Sequence, residues 1–315
     1  GTGKTALRGG FGMAFSRASS GMHLDMGSNP PARFTPVAYY GTIDTLAQSE
    51  GALGPLSVLS LRNVKTPLPV TMSYSFGIQQ RVQTVAVDIS YVGSLSRHLY
   101  AYQRVNAIPM YARFDPANQD PTKPGTVLLD DFLRPYRGYT AMNLGSAWGS
   151  SNYHGLQVSA NRRVGKGLQF GVAYTFSKVL GATSANPYFD FKYWNYGPQA
   201  MDRSQVLVFN YIYDLPKLGE RLGSKPARWV LDNWKLSGIT SFISGSPYTP
   251  TFTTTDGADL TGSEITGRIV VTGDPRLSKS EKTFYRTFKT ELFARPAKGD
   301  WGNAGVGILR GPGVN

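Results

Sequence analysis

From Val70 onward the chain alternates. Met72, Tyr74, Phe76 and Ile78 fall on one face, and Thr71, Ser73, Ser75, Gly77, Gln79 and Arg81 on the other. A few residues later Val85, Val87, Ile89 and Tyr91 alternate with Thr84, Ala86, Asp88 and Ser90. Period two is the spacing of a strand, so the two runs predict a hairpin with a tight turn near residue 82. The polar face is small and nearly uncharged, unlike the Lys- and Glu-coated wet side of a soluble sheet. Apolar-out, small-polar-in strands with aromatic residues near their ends predict a transmembrane β-barrel.

Seven segments read as strands: about 5–16, 70–81, 83–95, 150–164, 167–179, 203–214 and 232–245. In the cleanest, Leu168, Phe170, Val172, Tyr174 and Phe176 oppose Gln169, Gly171, Ala173, Thr175 and Ser177, and the apolar set is expected to face lipid. The first strand sets Leu7, Phe11, Met13 and Phe15 against Arg8, Gly10, Gly12 and Ala14. In Ser204–Asp214 both faces are apolar, Val206, Val208 and Ile212 against Leu207, Phe209, Tyr211 and Tyr213, which predicts cover on both sides by a neighbour or an inserted domain. Arg8, Arg81 and Asp88 fall on the face assigned to the lumen, where charges that pair or meet water are tolerated.

The connections alternate in length: long (17–69), short (near 82), long (96–149), short (165–166), long (180–202), moderately short (215–231), then long again from 246. Gly165-Lys166-Gly167 is a tight-turn signal. Long structureless loops count against strands in a soluble domain, but outer-membrane barrels have short periplasmic turns and long extracellular loops. No helix of substantial length and no internal domain boundary is visible. An odd strand count, where single-chain bacterial barrels close with even numbers, predicts one barrel region over 1–315, truncated at both ends.

Composition narrows the picture. The chain has 315 residues, 41% hydrophobic and 17% charged, with 36 Gly, 18 Tyr, 16 Phe and no Cys. That is too apolar for disorder, and it excludes disulfides and thiolate chemistry. No apolar run reaches the roughly 18 residues of a membrane helix, whereas barrel strands need only about 10. The net charge of +13 is scattered, the densest clusters being Arg162–Lys166 and Lys279–Lys282. A nucleic-acid partner is therefore not expected, and phosphates of lipopolysaccharide are an equal match for a basic surface.

Candidate chemistry is sparse. Gly1-Thr-Gly-Lys-Thr5 has the tail of a phosphate-binding loop, but a strand follows where that motif needs a helix, so it reads as a polar turn. His23, His98 and His154 lack any shared spacing for a metal. Asp256–Glu264 sets carboxylates among glycines without the order of a calcium loop, and reads as a solvated acidic turn. No nucleophile elbow is present, and the chain is expected to be neither an enzyme nor a holder of metal or cofactor. Tyr188, Phe189, Tyr193, Trp194 and Tyr196 crowd one long loop. They are the candidate ligand platform, stacking on sugars or other flat nutrients. The alternative is an aromatic girdle or a self-packed loop.

The run Ser151–Lys178 resembles the barrel hairpin of TonB-dependent outer-membrane receptors, most nearly the Oar-like group with its N-terminal carboxypeptidase-regulatory-like domain. Further similarities are Tyr91–His98, Asn106-Ala-Ile-Pro109, Asp202-Arg203, Tyr213-Asp-Leu-Pro216, Trp234–Ile239 and Ser244-Gly-Ser-Pro-Tyr248, so that residues 5–250 are covered in order. The resemblance implies a barrel of about 22 strands in the bacterial outer membrane with an internal plug. It also implies uptake of a small-molecule or oligomeric nutrient, with energy delivered by the TonB complex. The sequence shows no recognisable plug, TonB box or regulatory-like domain, so the expectation is the barrel portion alone. Two alternatives stand beside it: a structural or adhesive outer-membrane protein binding through its loops, and a soluble β-rich carbohydrate-binding protein.

Overall fold

The computed structural model describes residues 3–17, 20–34, 36, 42–48, 54–61, 67–162, 167–184, 186–223, 225–278 and 280–313. Among these one nine-stranded sheet dominates. In chain order its strands are β1 (Thr5–Phe15), β2 (Leu56–Leu61), β3 (Val70–Val82), β4 (Val85–Arg104), β5 (Tyr139–Arg162), β6 (Leu168–Ala182), β7 (Gly197–Pro198), β8 (Gln205–Asp214) and β9 (Lys235–Ile243). The wall runs β1-β3-β4-β5-β6-β8-β9 through antiparallel pairs, while β2 joins β5 in parallel and β7 joins β6. Among the described residues β1 and β9 are unpaired edges, so the sheet is an open arc, a partial barrel.

The registers bring every expected face together. One rung across the wall reads Leu7, Ile78, Ile89, Val158, Tyr174, Leu207, Phe242. The next rung, on the opposite face, reads Arg8, Gly77, Ser90, Gln157, Thr175, Val206, Ile243. Large apolar residues of the first face stay uncovered: Phe11 is 69%, Phe76 59% and Phe176 53% exposed. A soluble sheet would bury them, so lipid is the medium that suits this face. Leu168, Phe170, Val172 and Tyr174 lie on it too, and none is packed into a closed core. Arg8, Arg81 and Asp88 lie on the lumen face as expected, with Ser90 Oγ donating to Asp88 at 2.6 Å.

The two ends of the wall differ. At one end the turns are short, with Gln83 in the left-handed region (φ 53°) between β3 and β4. Gly165 and Lys166 of the expected β5–β6 turn lie outside the described residues. The β8–β9 connection holds two short helices, α4 (Leu218–Arg221) and α5 (Lys225–Leu231), where the sequence showed none. The long connections gather at the other end and include α1 (Ser20–Met26), α2 (Asp130–Leu133) and α3 (Phe191–Trp194). They also include β10 (Pro247–Tyr248), β11 (Val270–Val271), β12 (Phe293–Ala294) and β13 (Leu309–Arg310). By barrel convention the first end is periplasmic and the second extracellular.

Three expectations need correction. Residues 96–104 and 139–149 are strand, not loop: β4 and β5 continue past a bulge where the register shifts between Ser96 and Tyr100, with His98 at φ 58°. The bulge re-aims the strands and breaks the simple alternation that sequence reading depends on. The expected loop 17–69 contributes β2 to the far edge of β5, pairing Leu56 with Tyr139 and Leu61 with Gly145. Lastly, no inserted domain covers β8 among the described residues; Ile212 is exposed on the lumen face. At the start of the chain, Thr5 enters β1 directly, with no helix to complete a phosphate-binding loop.

Candidate functional site: the extracellular cap

The buried apolar residues lie mostly outside the wall. Ile108, Leu133, Leu260, Leu277, Trp301, Ala304 and Leu309 are all buried, and they come from connections after β4 and β9. Loops 105–138, 183–204 and 244–313 pack on one another as a cap with its own core, seated on the extensions of β4 and β5.

Polar residues fix its joints. Asn106 is fully buried: its Nδ2 donates to the carbonyls of Tyr136, Tyr139 and Thr140 at 3.0–3.2 Å, and its Oδ1 accepts from Tyr136 N at 2.8 Å. The side chain thus closes the mouth of the β4–β5 extension, using both of its polar atoms. Glu264, nearly buried, accepts from Arg104 at 2.8 Å and from Arg134 at 2.6 Å, and Arg134 also donates to Asn106 O at 2.7 Å. Arg113 grips both oxygens of Asp130 at 2.8 Å, reaches Asp259 at 3.1 Å and donates to Ser263 O at 2.6 Å. Asp202, fully buried, accepts from Val179 N at 2.6 Å and pairs with Arg310. The last pair ties the cap's final strand to the point where the chain re-enters the wall as β8.

The Asp256–Glu264 segment is therefore not the solvated turn expected of it: Leu260, Thr261 and Ser263 are buried. Its carboxylates go to separate arginines, Asp256 to Arg295, Asp259 to Arg113 and Glu264 to Arg104 and Arg134, rather than to one shared cation position. Among the described residues no group of three or more His, Cys, Asp or Glu is placed to hold a metal. His98 and His154 lie in β4 and β5, well apart in register. His154 Nδ1 meets the hydroxyl of Tyr91 at 2.9 Å on the lipid face, a contact of an interfacial aromatic belt.

The aromatic loop divides. Phe189 stacks on Trp194 (centroids 4.3 Å, planes 16° apart) and sets its edge against Trp301 at 5.2 Å. Tyr188 packs on Trp301 at 5.1 Å and donates its hydroxyl to Ile108 O at 2.6 Å; burial pushes its pKa up. The Arg268 guanidinium lies 4.2 Å over the Trp194 ring and donates to Trp194 O and Ala304 O. These rings hold the loop to the cap. Tyr196 is partly exposed and its hydroxyl accepts from Asn152 at 3.1 Å, while Tyr193 is 89% exposed. Of the five rings, Tyr193 is the one most open to an incoming ligand. Trp301 and Arg268 were not visible as site residues in the sequence, and the partners of Glu264 and Asp202 were not either, since these residues find their side-chain partners 23 to 160 residues away.

Beside Arg113 the cap opens into a pocket of about 390 Å³, lined by Thr254, Asp259, Thr261, Ser263, Glu264 and Thr266 among others. A second, of about 230 Å³, lies between Thr183, Asn195, Gln199 and Thr249. The first offers hydroxyls and charged groups beside Phe252 and Ile265, and the second sets Asn195 and Gln199 among Pro198, Pro247 and Val306, so each presents hydrogen-bonding atoms next to apolar surface.

The family described as "Outer membrane beta barrel domain" matches residues 1–315. None of the curated proteins matches the chain in sequence. Among solved structures, the outer membrane transporter YddB from Escherichia coli is similar at 10% identity and a TM-score of 0.47, over 81% of this chain and 28% of its own. The chain thus spans little more than a quarter of that transporter's length.

Proposed function

Because the chain belongs to the outer membrane beta barrel domain family, we propose that it supplies part of the wall and extracellular cap of a TonB-dependent receptor, Oar-like in kind, that takes up a nutrient and performs no covalent chemistry. The observation that carries this reading is the cap. Three long loops converge on a buried core of their own and leave open pockets of mixed polar and apolar lining at the outer mouth, a body that a plain structural wall does not need. The lumen face supplies a second support. Val206, Val208, Ile212, Ile239 and Ile243 put large apolar groups there among Asn210, Ser237 and Ser241, which favours a packed plug over a water-filled pore. Tyr193 would stack on the ligand, with Tyr188, Phe189 and Trp194 holding its loop in place and Tyr196 tied to Asn152 on the outer face of β5.

The test is uptake of labelled oligosaccharides and other polar nutrients by cells with and without the protein, each with and without a protonophore. Accumulation that needs both the protein and the proton-motive force is the expected result. Tyr193→Ala should weaken surface binding by about 1 kcal/mol, roughly fivefold. The mutual stacking of Phe189, Trp194 and Trp301, which withholds ring faces from solvent, favours an adhesive or structural cap as the second reading. Cell-surface binding that persists without any energy-dependent accumulation would establish that reading and end the first.

A further inference from the structure

The periplasmic end of β8 and β9 carries a surface that the transport reading leaves unused. Beyond the last wall pair, Asp214 with Lys235, the ladder gains one more bond, from Leu215 N to Trp234 O at 2.9 Å. By alternation Leu215 and Trp234 continue the face of Phe209, Tyr211, Tyr213 and Leu236, which is the lipid face. The Trp234 indole then donates to Val230 O at 2.7 Å and holds the end of α5 beside that face. The two helices touch backbone to backbone: a Cβ on Gly219 would lie 2.4 Å from Arg228 N. Gly219 N also donates to the Asp232 carboxylate at 2.7 Å, so the hairpin is a fixed unit rather than a loose turn.

Its outer surface is unlike a water-facing turn. Leu218, Leu222 and Val230 are exposed, and Trp229 is 93% exposed. Residues 215–234 hold four basic side chains (Lys217, Arg221, Lys225, Arg228) against two acidic ones, a net charge of +2, and one of the acids is engaged by Gly219. Immediately above, the wall is indented by a groove of about 320 Å³ lined by Leu168, Phe209, Tyr211, Tyr213 and Leu236, with no polar atom facing it. Tryptophan and leucine beside lysine and arginine at the edge of an apolar band is the composition of a membrane interface. Long basic side chains there lay their stems on apolar surface and place their charge among headgroups.

We propose that the α4–α5 hairpin is an interfacial anchor that lies in the inner leaflet of the outer membrane. Its partner is anionic phospholipid, with headgroups at Lys217, Arg221, Lys225 and Arg228 and an acyl chain along the groove. The continuity of the hairpin's apolar side with the lipid face of the wall selects lipid over a protein partner. The inference stands on the placement of the wall and is independent of what the cap binds.

The chain contains no cysteine, so single cysteines can carry a nitroxide at one position at a time. In the whole protein that contains this wall, with any cysteine elsewhere replaced and reconstituted into bilayers of zwitterionic lipid with and without phosphatidylglycerol, labels would be placed at Trp229→Cys, at Leu222→Cys and, as an aqueous reference, at Thr84→Cys in the β3–β4 turn. The expected result is a ratio of oxygen to water-soluble nickel accessibility several-fold higher at 229 and 222 than at 84. Spin-labelled phosphatidylglycerol should associate with the barrel several-fold more than phosphatidylcholine, a preference that Lys217→Gln with Arg228→Gln reduces. Nickel accessibility at 229 and 222 equal to that at 84 would place the hairpin in water and overturn the anchor. Shielding of both positions from both reagents would overturn it in favour of a protein partner.

Discussion

The wall and the cap are built on opposite rules within one chain. In the wall Phe11, Phe76 and Phe176 are exposed by more than half, and the lumen face from β1 to β6 is mostly small and polar. In the cap Ile108 is fully buried and Trp301 is 6% exposed, while charged residues are drawn inside and paired. The wall takes its stability from backbone ladders and from lipid outside. The cap has no lipid and must bury its own apolar surface and pair its own buried charges, as a small soluble domain does. The membrane boundary is thus visible as an inversion of burial, and it falls near the bulge at His98, beyond which β4 and β5 leave the wall and enter the cap.

The largest test of this inversion is a charge placed on either side of one strand. Val172 and Ala173 are adjacent in β6, the first on the lipid face between Ala160 and Phe209, the second on the lumen face between Ser159 and Val208. Val172→Arg should destabilise the barrel by about 2–4 kcal/mol, and Ala173→Arg by well under 1 kcal/mol. Urea titration of folding into lipid vesicles reads both. Equal costs would mean that the faces have been assigned wrongly.

Most of the wall was legible because lipid and lumen impose a strict period of two, and Leu168–Phe176 displays it without a break. The faces of β8 were harder to read, since Val206, Val208 and Ile212 put apolar groups on the lumen side. What sequence reading missed had physical reasons. The bulge at Ser96–Tyr100 shifts the register, and beyond it Ala101 and Ser146 are buried by protein instead of facing lipid or water, so the period carries no signal. The cap's bonds are non-local: Arg104 finds Glu264 across 160 residues and Asp202 finds Arg310 across 108. No local pattern encodes such pairs. The aromatic cluster was legible as a cluster, but which of its rings are consumed by packing depended on Trp301, more than a hundred residues downstream.

A smaller contrast is expected from two glycines. At Gly245 in the cap an added Cβ would lie 1.8 Å from the carbonyl oxygen of Gly311, a backbone atom that cannot move without disturbing β10 and β13. At Gly93 in the wall the added Cβ would lie 2.2 Å from the Tyr74 ring, a side chain that can swing outward into lipid at the cost of its 3.3 Å contact with His154. Gly245→Ala should therefore cost about 3 kcal/mol and Gly93→Ala about 1 kcal/mol, the two ends of the range for overpacking. Protease resistance of the cap reads the first, and urea titration of the barrel the second. A larger loss at Gly93 would show the aromatic belt to be as rigid as the cap.

The smallest expected effect is a difference in acid response. Several cap carboxylates are stabilised in their charged form. Arg276 holds Asp274 through bonds of 2.8 and 2.9 Å and its own backbone N–H, lowering the carboxyl from 3.8 to about 2. Arg295 lowers Asp256 in the same way, chiefly through its hydrogen bond. A carboxyl held below its unfolded value contributes stability above that value and loses it as the pH falls through the folded one. For Asp274 the window runs from 3.8 down to about 2. Both groups are exposed, so solvent and salt screen the contribution and the loss should be small. Between about pH 5 and pH 2, amide exchange in residues 254–295 should quicken slightly while the wall strands keep their protection. Arg276→Gln should abolish the part due to Asp274, and added salt should reduce all of it. Wall strands that loosened first would place the acid-sensitive charges in the lumen and not in the cap.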